Sequence, residues 1–100
     1  MTIRHIVSWK LAATDESVKA EQATRIRAGL ESLPAQISEI RALEVGINTL
    51  NLGQNYDVVL VADYEDEAAL ARYVVHPEHE KVAAYIRSVI AERSAVDFLV

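Results

Sequence analysis

The sequence contains no cysteine, only two prolines and three glycines in 100 residues, and fewer basic than acidic side chains. Without cysteine there is no disulfide framework, thiolate nucleophile or thiolate metal site. The formal net charge is −5 and no Lys/Arg cluster is present, which argues against nucleic-acid binding. No apolar run approaches the ~20 residues of a membrane-spanning helix, and the first residues lack signal-peptide features. We therefore expect a cytoplasmic protein that binds neither nucleic acid nor membrane.

Apolar residues make up 51% of the sequence. Such a chain buries enough apolar surface to offset the entropy lost on ordering, which excludes disorder. Its length suits one core, so we predict a single domain over residues 1–100. An apolar fraction this high in so small a domain also hints at a partner subunit.

The first half of the chain is predicted to form a strand, a helix and a second strand. Residues 3–11 are rich in β-branched and aromatic types, and alternation predicts that one face carries Ile3, His5, Val7, Trp9 and Leu11. A helix begins near Asp15, which is a good N-cap, and Pro34 ends it. Its predicted buried stripe is Val18, Gln22, Ile26, Leu30 and Leu33. Residues 40–50 form the next strand, with Gly46 a candidate bulge.

The second half is predicted to form a strand, two helices and a final strand. Residues 56–64 include four consecutive apolar residues, which indicates a central strand buried on both faces. A helix opens at Asp66–Glu67, with an apolar stripe of Leu70, Tyr73 and Val74. Pro77 then suits the first position of a third helix, whose apolar side carries Val82, Ile86 and Ile90. Residues 95–100 form the last strand.

The resulting order, β-α-β-β-α-α-β, predicts an α+β, ferredoxin-like fold with an antiparallel sheet. Helices cover one face of such a sheet, so the other face needs a different cover. A second copy of the chain is the best cover, giving a twofold homodimer with a closed barrel. The row of the first strand that contains Trp9 is a candidate for this uncovered face.

Tyr73 and His79 flank the short break between the second and third helices. The positive end of a helix dipole at His79 favours the neutral imidazole, although Glu78 and Glu80 favour the charged ring. A neutral histidine can act as a general base while a nearby tyrosine hydroxyl polarises a carbonyl. The alternative is that His79 is an ordinary surface residue and that His76 merely caps the helix.

A metal site formed by His76, His79 and His5 is the weaker interpretation of the same residues. Pro77 disrupts the helical geometry that the His76–His79 spacing would need, and no carboxylate or thiolate is placed to complete the site. We therefore predict neither a metal nor an organic cofactor.

Asp97 lies in the short apolar strand at the end of the chain, where an unpaired carboxylate is costly. If its partner is His79, the two form a base and an orienting group. If the partner is Lys10 or Arg4, Asp97 has a structural role. His5, on the first strand, is by itself most simply explained as a hydrogen-bonded histidine in a half-buried sheet.

Four segments together resemble the stress-responsive A/B barrel (Dabb) family. They are residues 3–11, the segment Glu44-Val45-Gly46-Ile47-Asn48, the run Tyr73-Val74-Val75-His76-Pro77-Glu78-His79 and the closing Val96-Asp97-Phe98. The resemblance spans nearly the whole chain, and the Tyr-x-x-His-Pro-x-His run is fairly specific. The chain departs from many members at Ser38–Glu39, where they have Pro-Gly.

The resemblance implies a dimeric barrel with a small-molecule pocket between the sheet and the helices of each protomer. A plant polyketide cyclase of this family closes a ring by aldol chemistry with a Tyr and a His. By motif position those roles fall on Tyr73 and His79, with His5 and Asp97 in supporting positions. His5, Val7 and Trp9 are expected to line the pocket, Trp9 narrowing it, and His76 and Pro77 to form the structural junction.

Three hypotheses remain open for the function. The first is a homodimeric ligand-binding or stress-related protein without turnover. The second is a cofactor-independent cyclase or lyase acting on a small carbonyl or polyketide-like substrate. The third is a monooxygenase-like barrel protein. Close approach of Tyr73 and His79 in an open pocket favours the enzyme, whereas a pocket filled by Trp9 favours the first hypothesis.

Overall fold

Each helix begins at a side chain that caps it. The computed structural model describes residues 1–100, with helices α1 (Glu16–Glu31), α2 (Glu67–Val74) and α3 (Pro77–Val89). Asp15 accepts hydrogen bonds from the backbone N–H groups of Ser17 and Val18 at 2.9 and 3.1 Å. Asp66 accepts one from Ala69 at 2.8 Å. These caps satisfy N–H groups that have no partner within the helix. None of the three helices has the length and hydropathy needed to cross a bilayer.

Four strands form one antiparallel sheet: β1 (Ile3–Leu11), β2 (Ile40–Ile47), β3 (Val58–Tyr64) and β4 (Ile90–Leu99). Their order across the sheet is β2-β3-β1-β4. This confirms the ferredoxin-like α+β fold and the central position of β3. The first and last strands of the chain are neighbours, so residues distant in sequence meet at one edge of the sheet.

Several boundaries differ from the prediction. β4 begins at Ile90, not at residue 95, because α3 ends at Val89 and the chain continues directly in extended conformation. Ile90 was predicted on the helix, but it pairs with Leu11 of β1. The predicted bulge at Gly46 is wrong: Gly46 pairs in register with Val59, and the irregularity lies between Ile40 and Ala42. Val18 is exposed at the start of α1 instead of buried.

The core lies between the sheet and the helices, with α1 packed against β2 and α3. Trp9 is only 6% exposed and belongs to this core, as do Val7 and Leu11 of the same row. The expectation that the Trp9 row forms the uncovered face is therefore wrong. Both rows of β1 contain apolar residues, so alternation separates them without showing which row the helices cover.

The opposite face of the sheet, here called the open face, has no helix against it. Register places these residues on it: Arg4, Ile6 and Ser8 of β1, Val59, Val61 and Asp63 of β3, and Val96 and Phe98 of β4. Val96 is 62% exposed and Phe98 42%. Arg4 and Asp63 form an ion pair at 2.9 Å. Clustered apolar exposure of this kind marks an interaction surface.

Candidate active site

The junction between α2 and α3 brings Tyr73 and His79 together. The ring of His76 accepts a hydrogen bond from the backbone N–H of Glu78 at 3.1 Å and thereby caps α3. Pro77 occupies the first turn, where the N–H that it lacks has no helical partner anyway. The chain turns sharply here, and the centroids of the Tyr73 and His79 rings lie 4.4 Å apart at an interplanar angle of 49°.

The surroundings of His79 favour its neutral imidazole. Its Nδ1 lies 2.9 Å from the carbonyl oxygen of Val74, to which it donates a hydrogen bond. That bond assigns the proton to Nδ1 and leaves Nε2 as an acceptor. Burial lowers the pKa of His79, outweighing the Val74 carbonyl and Glu80, which raise it. The sequence left open whether the helix dipole or the neighbouring acids decide the charge of His79. In the structure, burial is the largest effect on its pKa and favours the neutral ring.

The hydroxyl groups of Tyr73 and Tyr64 are buried and have no hydrogen-bond partner. The rings lie 4.9 Å apart between centroids. No hydrogen bond of ordinary geometry joins the two hydroxyls, although each influences the pKa of the other. Burial raises the pKa of both phenols, so both are protonated donors at neutral pH. An unpaired buried hydroxyl costs roughly 1–3 kcal/mol, so a ligand oxygen that reached the Tyr73 hydroxyl would relieve this cost.

The partner of Asp97 is His5, not His79, Lys10 or Arg4. His5 and Asp97 are directly opposite in the β1–β4 ladder, and His5 Nδ1 hydrogen-bonds to the Asp97 carboxylate. The ring of His5 lies 6.5 Å from that of Tyr73 between centroids. Asp97 therefore orients the second imidazole of the site and leaves its Nε2 available.

These groups surround a cavity of about 280 Å³ between the sheet and helices α1, α2 and α3. Trp9 forms part of the wall and does not fill the space. Twelve residues line it: His5, Val7, Trp9, Leu30, Leu60, Tyr73, Val74, His79, Ala83, Ile86, Arg87 and Arg93. The structure thus brings five predicted residues to the wall of one cavity: His5, Val7, Trp9, Tyr73 and His79. Asp97 bonds to His5 but does not line the cavity. His76 and Pro77 are also absent from the lining. Sequence reasoning missed Arg87 and Arg93, because nothing local distinguishes them from surface arginines.

A second cavity, of about 320 Å³, lies between α1 and the end of β2. It contains Lys19 and Asp57, whose charged atoms are 3.9 Å apart. Asp57, also missed from sequence, accepts a hydrogen bond from the Leu11 backbone N–H at 2.7 Å, which indicates a structural role. This cavity is lined by Glu16, Lys19 and Asp57 but by no imidazole or phenol, so the predicted Tyr–His pair lies in the first cavity only. No group of three His, Asp or Glu side chains is arranged to hold a metal ion.

A family model described as the stress responsive A/B barrel domain matches residues 3–100. The chain belongs to this family. Among curated proteins, the Dabb chain is 33% identical over 88 residues to an uncharacterized protein of Streptomyces coelicolor, covering 85% of this chain and 87% of the relative.

Two solved structures resemble this Dabb chain in both sequence and fold. A dimeric ferredoxin-like protein of unknown function from Bacteroides fragilis is 30% identical, with a TM-score of 0.89 and coverage of 97% of this chain and 94% of that one. A second dimeric protein, from Thermobifida fusca, is 32% identical, with a TM-score of 0.84 and coverage of 100% and 92%.

The same fold occurs in proteins with assigned activities. A hydroxynitrile lyase from Passiflora edulis is 13% identical with a TM-score of 0.82, covering 99% of this chain and 93% of the lyase. A cofactor-independent oxygenase from Streptomyces nogalater is 12% identical with a TM-score of 0.68, covering 99% of this chain and 92% of the oxygenase. At these identities the likeness concerns the fold alone.

Proposed function

We propose that this Dabb protein is a homodimeric enzyme that catalyses proton transfer on a small carbonyl compound with its own side chains as acid and base. The observation that carries this proposal is the placement of two rings at the cavity wall: His79, whose Nδ1 donates to the Val74 carbonyl, lies 4.4 Å between centroids from the unpartnered phenol of Tyr73. A base and an electrophile side by side are what enolate formation needs.

In the proposed reaction, His79 Nε2 takes a proton from the carbon next to the carbonyl. The electron pair of the broken C–H bond forms the enolate, whose oxygen accepts a hydrogen bond from Tyr73. The enolate carbon can then bond to a second carbonyl of the same molecule, and the proton on His79 neutralises the resulting alkoxide. The His5–Asp97 pair can hold a further polar group of the substrate.

The homodimer in this proposal rests on the open face. Its apolar residues, including Val96 and Phe98, are too exposed for an isolated domain. The Arg4–Asp63 pair on the same face is already neutralised, which lowers the cost of covering it. The solved relatives from Bacteroides fragilis and Thermobifida fusca are dimers, which supports the same assembly here.

One observation favours a second candidate, binding without turnover. The oxygen of Tyr73 has almost no accessible surface. A ligand therefore reaches it only after a small movement of neighbouring side chains at the cavity wall. If that movement does not occur, the cavity binds a molecule without polarising its carbonyl.

Deuterium exchange tests proton abstraction without knowledge of the natural substrate. Small ketones such as phenylacetone are incubated with the protein in D₂O, and loss of the proton next to the carbonyl is followed by NMR. We expect catalysed exchange that falls by at least about a hundredfold in His79→Gln, the usual contribution of a general base. Lys81→Gln is the control, because Lys81 lies on the same helix, is exposed, and forms its one ion pair with Glu78 at the surface.

If the protein bound the small ketones without catalysing their exchange, the proposal of an enzyme would be wrong and binding without turnover would be favoured. Exchange that persists in His79→Gln would remove His79 from the mechanism. Oxygen uptake with phenolic compounds would instead support the monooxygenase hypothesis.

A further inference from the structure

Two arginines line the cavity and have no partner within the protein. Arg87 of α3 and Arg93 of β4 both belong to the cavity wall. Neither guanidinium group takes part in any side-chain hydrogen bond or ion pair of the chain. By contrast, Arg4 is paired with Asp63 and Arg72 with Glu39.

The two side chains reach the cavity from different walls. Arg87 follows His79 by eight residues on α3, a spacing that returns to the same side of a helix. Arg93 is opposite Trp9 in the β1–β4 ladder, on the face of the sheet that the helices cover. A helix and an edge strand therefore each contribute one arginine to the wall of the same cavity.

The cavity wall contains no carboxylate to neutralise them. Asp97, the nearest acid on the same face of β4, is already bonded to His5. His79 contributes no positive charge while it is neutral. In a chain of net charge −5, the cavity is thus a local cationic site. Its other walls are apolar, formed by residues such as Trp9, Leu60 and Ile86.

We propose that the cavity takes a ligand carrying a carboxylate, which Arg87 and Arg93 bind, while its apolar body lies along Trp9 towards Tyr73 and His79. A planar guanidinium group can donate two parallel hydrogen bonds to a carboxylate, and two such groups fix its orientation. The inference shares the cavity of the proposed function and adds the substrate class, a small carbonyl acid.

A matched pair of probes isolates the role of charge. 3-Phenylpropanoate and 3-phenylpropanamide have nearly the same size and shape, but only the first is an anion. Their dissociation constants are measured by NMR titration of the ¹⁵N-labelled protein. We expect the carboxylate to bind at least about tenfold more tightly than the amide. Its affinity alone should fall as ionic strength rises, because the arginines are partly exposed and screened by salt.

Variants assign the preference to the two arginines. Arg87→Gln and Arg93→Gln should each weaken carboxylate binding about three- to tenfold, and the double variant should bind both probes equally. Arg41→Gln is the matched control: it removes the same charge from β2, the opposite edge of the sheet. Because Arg87 and Arg93 are exposed and unpaired, their variants should fold, which circular dichroism verifies.

Equal affinity for the two probes in the unchanged protein would overturn the proposal. So would a preference that survives in the double variant, or no binding of either probe at millimolar concentration. These outcomes do not depend on turnover. Failure of the deuterium-exchange test is therefore distinguishable from failure of this assignment.

Discussion

Replacing Tyr73 with Phe removes one oxygen atom from a side chain that is only 1% exposed. That oxygen has no hydrogen-bond partner, so its removal relieves a desolvation penalty of roughly 1–3 kcal/mol. The void left by one oxygen, about 10 Å³, costs only about 0.2 kcal/mol at ~24 cal/mol per Å³. The variant should therefore be at least as stable as the unchanged protein, and up to about 3 kcal/mol more stable.

Urea unfolding measures this difference, with both proteins at the same concentration because dimer stability depends on concentration. Tyr64→Phe is the matched control, since the Tyr64 hydroxyl is equally buried and unpartnered but Tyr64 does not line the cavity. Both variants should keep or gain stability. Only Tyr73→Phe should also lose catalysed deuterium exchange, by at least about tenfold.

A different result would refute the reasoning. If Tyr73→Phe lost more than about 2 kcal/mol, the hydroxyl would be making a structural hydrogen bond. If Tyr64→Phe lost exchange activity to the same degree, the two phenols would act as a unit, and Tyr73 alone would not be the electrophile.

Three further predictions follow from the site and the open face. His79 has a lowered pKa when folded, so below the ordinary histidine pKa of about 6.5 the unfolded state binds more protons. The free energy of unfolding should then decrease as pH falls from about 6.5 towards the lowered pKa of His79. This decrease should be smaller in His79→Gln. Identical urea-unfolding profiles of the unchanged protein at pH 7 and pH 5.5 would contradict the prediction. Asp97→Asn should change the ¹⁵N chemical shifts of the His5 ring. It should lower the free energy of unfolding by less than about 1 kcal/mol, because the Asp97 side chain is 46% exposed. Unchanged shifts would show that the His5–Asp97 pair does not form in solution. Val61→Glu places a charge on the open face and should give a monomer in sedimentation at low micromolar concentration. Lys81→Gln should remain a dimer. If the unchanged protein were monomeric, the open face would not be a dimer interface.

Much of the fold is predictable because its signals are local. Asp15 and Asp66 cap helices with their own side chains, and the apolar run in residues 58–61 requires a central strand. The face of the sheet that carries Trp9 was predicted wrongly, since it depends on which row α1 and α3 pack against. That choice is made by contacts between distant segments, and alternation within one strand contains no information about it.

The site divides in the same way. Tyr73 and His79 lie in one short segment, so the sequence alone could single them out as a candidate pair, but it left open whether His79 faces the pocket or the surface. The partner of Asp97 depends on the register between the first and last strands, 92 residues apart. Arg87 and Arg93 acquire significance only when the helix and the edge strand meet, since each by itself has the pattern of a solvated side chain.

The junction after α2 has a consequence for how the proposed activity depends on the sequence of this chain. Two hydrogen bonds at this junction, the His76 cap on the Glu78 N–H and the bond from His79 Nδ1 to the Val74 carbonyl, join residues at most five positions apart. Insertion of a single residue between Tyr73 and His79 would rotate one ring relative to the other, and it would also disturb the packing of Tyr73 in the core. In the proposed mechanism the Tyr73–His79 pair therefore depends on this short segment, whereas the His5–Asp97 pair depends on the register between β1 and β4.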